Sequence, residues 1–134
     1  MYGHLKAAVE ELASALEARG QKVSVFDLAR DDMAEAVEDA FRYDRLVLAS
    51  ITYQGEIFPF MSTFIHTLAE HAYQNRTVAL VEAGFWAPTA AKVMTKELEG
   101  MKDITLAQNK VTVLGSLNDA SRAQIEALAD ELSK

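Results

Sequence analysis

The sequence predicts an α/β domain: a doubly wound, mostly parallel sheet with helices on both faces. Three observations predict it. Apolar strand-like runs alternate with segments of helical periodicity along the whole chain. Leu46 to Ala49 is an unbroken apolar run, as a strand buried on both faces requires. That run passes into a polar loop, Ser50 to Glu56, and then into Pro59, which suits the first turn of a helix. Strand, polar loop, helix is how an open parallel sheet makes a ligand crevice at the carboxyl ends of its strands.

Each element follows from its residues. His4 to Arg19 reads as a helix whose stripe is Leu5, Ala8, Val9, Leu12, Ala15 and Leu16, with Gly20 as its stop. Val23 to Leu28 reads as a short strand. Asp31 or Asp32 can cap the next helix, Asp32 and Glu35 having capping-box spacing, and Met33, Ala36, Val37, Ala40 and Phe41 form its inner face. The strand at Leu46 follows. The helix after Pro59 turns Met61, Phe64, Ile65, Leu68 and Ala72 inward. Thr77 to Glu82 is the next strand, running into the loop Ala83 to Pro88. Thr89 to Glu99 is helical, with Ala90, Val93, Met94 and Leu98 inward and Gly100 as terminator. Ile104–Leu106 and Val111–Leu114 are two β-like pieces with a turn or bulge at Gln108-Asn109. Asn118 or Asp119 caps a last helix that buries Ile125, Leu128, Ala129 and Leu132.

The alternation lacks an opening strand. In a doubly wound sheet of order 2-1-3-4-5 the first strand lies in the middle. Without it, a gap is expected between Val23 and Leu46. Three explanations stand side by side: the numbered chain is a piece of a longer one, two chains exchange elements, or the sheet closes up with four strands.

Composition narrows the function. The chain has 134 residues, enough for one domain with a full core, and 25% of them are charged. No apolar run approaches the roughly 20 residues that cross a bilayer, and no secretory pattern is present. A cytoplasmic location is expected, with no membrane partner. The absence of cysteine excludes disulfides, iron–sulfur clusters and thiolate zinc sites. A formal charge of −7 with scattered basic residues argues against nucleic acid as a partner. It implies solubility, or an acidic face for docking a basic redox protein.

Three loop motifs carry a resemblance. They are Met1-Tyr2-Gly3-His4-Leu5, then Ser50-Ile51-Thr52-Tyr53-Gln54-Gly55 followed by Ile57-Phe58-Pro59, then Gly84-Phe85-Trp86-Ala87-Pro88-Thr89-Ala90-Ala91-Lys92-Val93. In this order they resemble the loops of the flavodoxin-like domain of A-type flavoproteins, the flavo-diiron proteins. The resemblance covers residues 1–134 as a single flavodoxin-like domain, and nothing in the chain resembles the family's di-iron domain. In the first motif the family's leading serine has no counterpart, and Leu5 stands at its threonine position. The resemblance implies FMN as cofactor. It also implies rubredoxin or a reductase as electron donor, a di-iron domain as acceptor, and a homodimer in which the flavin of one subunit serves the metal site of the other. The whole enzymes of that family reduce oxygen or nitric oxide.

Each loop has a physical rationale. Backbone N–H groups at a helix start hold phosphate well. Tyr2, Gly3 and His4 are the candidates there, Gly3 permitting close approach and His4 donating from its ring; the same residues also read as a frayed terminus. Ser50, Thr52, Tyr53, Gln54 and Gly55 offer hydroxyls, an amide and backbone groups to the edge of an isoalloxazine ring, with Tyr53 stacking on its face. The competing reading is an ordinary strand-to-helix loop. Gly84, Phe85 and Trp86, the only tryptophan, would form the second wall of a flavin slot, or else pack in the core.

His66 and His71 are five residues apart, about 140° around a helix, so they do not form a metal pair. No nucleophile elbow, P-loop or metal cluster is present in the sequence. No side chain is needed as acid, base or nucleophile, so no catalytic residue is assigned. Glu56 lies in the flavin loop, where its charge would disfavour added negative charge and lower the redox potential. Glu56→Gln is therefore expected to raise the potential of the FMN-loaded protein, and a redox titration checks it. The leading expectation is an FMN-binding electron-transfer domain. The alternative is a flavodoxin-like interaction or oligomerisation module that has lost FMN. A phospho-receiver shares the strand order, but the strand at Leu46 ends in Ser50 where an acceptor aspartate is expected.

Overall fold

The structure is a computed structural model. It describes residues 2–28, 31–43, 45–53, 56–57, 59–71, 73–74, 76–84, 90–99, 101, 103–114 and 118–133. Among these, the helices are α1 (Tyr2–Ala18), α2 (Met33–Arg42), α3 (Pro59–Glu70), α4 (Ala90–Leu98) and α5 (Asp119–Leu132). The strands are β1 (Arg45–Tyr53), β2 (Glu56–Ile57), β3 (Arg76–Gly84), β4 (Ile104–Leu106) and β5 (Val111–Leu114).

The sheet is centred on β3. β1 runs parallel to it from Arg45↔Thr77 to Ile51↔Ala83. On the other side β4 pairs with the start of β3 and β5 with its end, both parallel. β4 and β5 are thus one strand position interrupted at 107–110. The interruption is held to α5 by Glu131, whose carboxylate accepts from the backbone N–H groups of Gln108 and Asn109 at 2.8 and 2.9 Å.

Side chains of β1 and β3 alternate between two cores. Leu46, Leu48, Val78 and Leu80 face α2, α3 and α4. Val47, Ala49, Ala79, Val81 and Ala83 face α1 and α5. This period of two makes each strand a continuous apolar run while burying both of its faces. The expected inner faces are found in these cores apart from Val9, which is half-buried and lines a cavity beside residues 21–28, and Ala72, which lies outside the described residues.

The helix ends follow their chemistry. Gly20 has φ of +83°, and the N–H groups of Gly20 and Gln21 return to the carbonyls of Glu17 and Leu16, which closes α1 with a Schellman turn. Asp32 caps α2 by accepting from Ala34 N–H at 2.9 Å. Asn118 caps α5 in a reciprocal box with Ser121, its Oδ1 accepting from Ser121 N–H at 3.0 Å and its own N–H donating to Ser121 Oγ at 2.9 Å. Asn118→Ala is expected to cost about 1 kcal/mol, read as a lower urea midpoint at unchanged slope.

α1 and α5 run side by side in the same direction. Glu11 of α1 meets Arg122, and Arg19, beyond the end of α1, meets Glu126 and Asp130. Hydrogen bonds that Arg19 donates to Glu126 and then to Asp130 raise its pKa above the ordinary value. α5 starts just past the carboxyl end of β5, so both helices begin at the rim where the parallel strands end.

Three expectations are corrected. Val23 to Leu28 is not a strand. A lone extended segment has no ladder without a paired strand, and among the described residues none pairs with it. The four-stranded, closed-up sheet is accordingly not formed, since β1 takes no partner from that segment. Tyr2 and Gly3 join His4 in the first turn of α1 instead of forming a loop ahead of it, because each added residue gives its carbonyl an amide four positions on. Ser50 to Tyr53 continue β1, and Glu56–Ile57 folds back on it as β2, Thr52 opposite Ile57 and Tyr53 opposite Glu56. Ile51, Thr52 and Tyr53 are β-branched or aromatic and suit a pleated backbone, so the strand outruns its apolar portion.

Candidate functional site

The site is built on the carboxyl ends of β1 and β3. These strands are adjacent, parallel and in register to Ile51↔Ala83, so Thr52 and Gly84 follow the end of the β1–β3 ladder side by side, each then paired only on its outer side, with Ile57 and Leu114. Of the sequence-predicted residues, Ser50, Thr52 and Tyr53 lie on β1 and Gly84 closes β3. Tyr2, Gly3 and His4 form the start of α1 at the same rim. The first-turn N–H groups of such a helix have no intrahelical acceptor. Gln54, Gly55, Phe85 and Trp86 lie outside the described residues. Leu5 is buried against the α1–α5 core.

Beneath this rim runs a polar row that sequence reasoning missed. Ser50, Glu82 and Thr112 occupy matched positions on β1, β3 and β5 and share one face of the sheet. Ser50 and Glu82 are almost fully buried, at 2% and 3% exposure. Burying a carboxylate is costly unless it is paired and hydrogen-bonded. Glu82 meets that condition: Oε1 accepts from Ala91 N–H at 3.1 Å, and Oε2 accepts from Thr112 Oγ1 at 2.9 Å with Lys110 Nζ at 3.3 Å. The Ala91 bond sits at the amino end of α4, where a negative charge is also favoured by the helix dipole. Glu82 therefore ties β3, β5 and the start of α4 together. The signal was present in the sequence, a glutamate inside the apolar run Val78–Ala83.

His66 and His71 are exposed and remote from this rim, at α3 and its end, and His66 Nε2 lies 4.0 Å from Glu97. Among the described residues no group of three metal-ligating side chains gathers, and no helix is long and apolar enough to cross a membrane.

No family model and no curated protein matches the sequence. Solved structures do match. Rubredoxin oxygen:oxidoreductase from Desulfovibrio gigas superposes with a TM-score of 0.91 at 16% identity, over 99% of this chain and 33% of its own. A flavodoxin from the domain Archaea gives 0.85 at 16% identity, over 99% of this chain and 90% of its own. The chain has a flavodoxin-like fold. A flavo di-iron protein from Thermotoga maritima adds 0.79 at 23% identity, again over a third of its own chain. The flavodoxin-like domain thus spans about a third of the di-iron structures and nearly all of a flavodoxin. In this fold the rim described above is the crevice outside the carboxyl ends of the strands, where ligands of doubly wound sheets bind.

Proposed function

We propose that the flavodoxin-like domain binds FMN and transfers electrons through it. The observation that carries this reading is the end of the β1–β3 ladder at Ile51 and Ala83, which sets Thr52 and Gly84 side by side at one rim together with the start of α1. The donor set suits the cofactor. Backbone N–H groups of Tyr2, Gly3 and His4 would hold the phosphate. Ser50, Thr52, Gln54 and Gly55 carry hydroxyl, amide and backbone groups for the polar edge of the ring, and Tyr53, Phe85 and Trp86 supply aromatic surface.

Bound FMN would supply the redox chemistry. The chain binds it, orients it and sets the charge around it. Glu82 fixes both flanks of the segment that carries Phe85 and Trp86, through β3 on one side and Ala91 on the other. The acidic balance of −7 suits docking of a basic redox partner; the electron donor in this reading is rubredoxin or a reductase. The likeness to a rubredoxin oxygen:oxidoreductase and to a flavo di-iron protein supports rubredoxin as donor and a di-iron domain as acceptor, and the reading includes a cytoplasmic homodimer.

The test is a titration of purified protein with FMN. Quenching of flavin and Trp86 fluorescence to a saturable one-to-one endpoint is expected, and no quenching at excess flavin overturns the reading. That second outcome belongs to an interaction module without FMN. Two observations favour such a module: Leu5 is buried and has no hydroxyl, and Lys22 to Phe26 remain unladdered beside β1.

A further inference from the structure

The buried row below the rim holds a charge that its hydrogen bonds do not need. Glu82 accepts from Ala91 N–H and from the Thr112 hydroxyl at 3% exposure. A neutral amide in its place would accept from the first and donate to the second. A carboxylate adds the cost of desolvating an ion, which bonds to neutral groups offset only in part. The charge, as distinct from the hydrogen bonds, acts beyond these contacts.

The cation that meets it is unequally placed. Lys110 Nζ lies 3.3 Å from Glu82 Oε2, yet the lysine side chain is 53% exposed and the glutamate 3%. Water and salt screen the lysine far more than the carboxylate, so the pair does not behave as a neutral unit. A negative field is left over, and its place on the fold is defined. Glu82 stands two residues before Gly84, the last residue of β3, which at a strand rise of about 3.3 Å per residue is roughly 7 Å below the rim.

We propose that Glu82 and Lys110 form an opposed charge pair that sets the redox potential of a flavin at this rim, Glu82 lowering it and Lys110 raising it. This rests on the FMN reading above. Two electrons and one proton added to the ring leave the reduced cofactor with one more negative charge than the oxidised one. A buried carboxylate opposes that charge and so favours the oxidised form; the lysine offsets part of the opposition. By linkage, the displacement of the potential on binding equals the ratio of the dissociation constants of reduced and oxidised FMN.

The experiment measures that ratio by anaerobic equilibrium dialysis at fixed pH, with FMN and with FMN reduced by dithionite, for the parent, Glu82→Gln and Lys110→Met. Each variant is referred to its own affinity for oxidised FMN, so a general loosening of the site cancels. Glu82→Gln is expected to lower the reduced-to-oxidised ratio about fivefold. Lys110→Met is expected to raise it about twofold. In about 1 M sodium chloride the first shift persists, because the carboxylate is buried, and the second shrinks. A purely structural role predicts no opposition of sign. An unchanged ratio in Glu82→Gln, shifts of the same sign in both variants, or loss of the Glu82 shift at high salt overturns the proposal and leaves FMN binding standing. A parent chain that binds neither form of FMN overturns both. If Glu82→Gln does not fold, the exposed Lys110 decides: a ratio that falls or stays level in Lys110→Met overturns the proposal.

Discussion

Replacing Glu82 with alanine is expected to lower the unfolding free energy by about 2–4 kcal/mol, the scale of buried donors left without acceptors. The substitution strips Ala91 N–H and the Thr112 hydroxyl of their acceptor at a place with 3% exposure. Lys110 contributes less, because its side chain is 53% exposed and can rehydrate. Glu82→Gln separates geometry from charge. The amide oxygen can still accept from Ala91 and the amide nitrogen can donate to Thr112, so a loss of about 1 kcal/mol is expected. Urea unfolding measures both, and amide exchange at Ala91 reports the helix start directly. An alanine variant within 0.5 kcal/mol of the parent, roughly the effect of an inert surface change, would show that the row carries no weight. If FMN binds as proposed, Glu82→Ala also weakens it, because the flanks of the segment 85–89 lose their shared anchor.

Much of the fold was legible because its signals are local. The periodic stripes of α1, α2 and α5 name their own buried faces, and Gly20, Asp32 and Asn118 are caps whose chemistry acts within a few residues. Strand limits were less legible, because pairing decides them. Val23 to Leu28 has the composition of a strand but pairs with no strand among the described residues, whereas Ser50 to Tyr53 looks polar yet is held in β1 by β3 and β2. The gap beside Leu46 was readable from the missing first strand, but its persistence was not, since closing the sheet depends on whether α1 and α2 can approach. On the site, the rim was legible from strand–loop–helix order. The Ser50–Glu82–Thr112 row was not, because it depends on register across three strands.

Arg76 sets the second large effect, at the opposite rim. Its guanidinium donates from Nε to the carbonyl of Tyr43 at 3.0 Å, from Nη2 to that of Phe41 at 3.0 Å and from Nη1 to that of Gln74 at 2.6 Å. It also lies 5.1 Å from the ring centre of Tyr73, which meets Phe41 edge-on at 5.0 Å. One planar fork therefore closes the end of α2, whose last carbonyls lack helical donors, onto the start of β3. Arg76→Ala is expected to cost about 2–4 kcal/mol, below the sum of three charge-assisted bonds because water can reach part of the site. Arg76→Lys keeps the charge and loses the fork, so it should recover less than half of that in urea unfolding. Full recovery by lysine would mean that charge near the end of α2, not planar geometry, does the fastening. A double-mutant cycle with Tyr73→Leu isolates the stacking, with a coupling of about 0.5–1 kcal/mol expected. A coupling near zero would leave the three carbonyls as the whole of the Arg76 contribution.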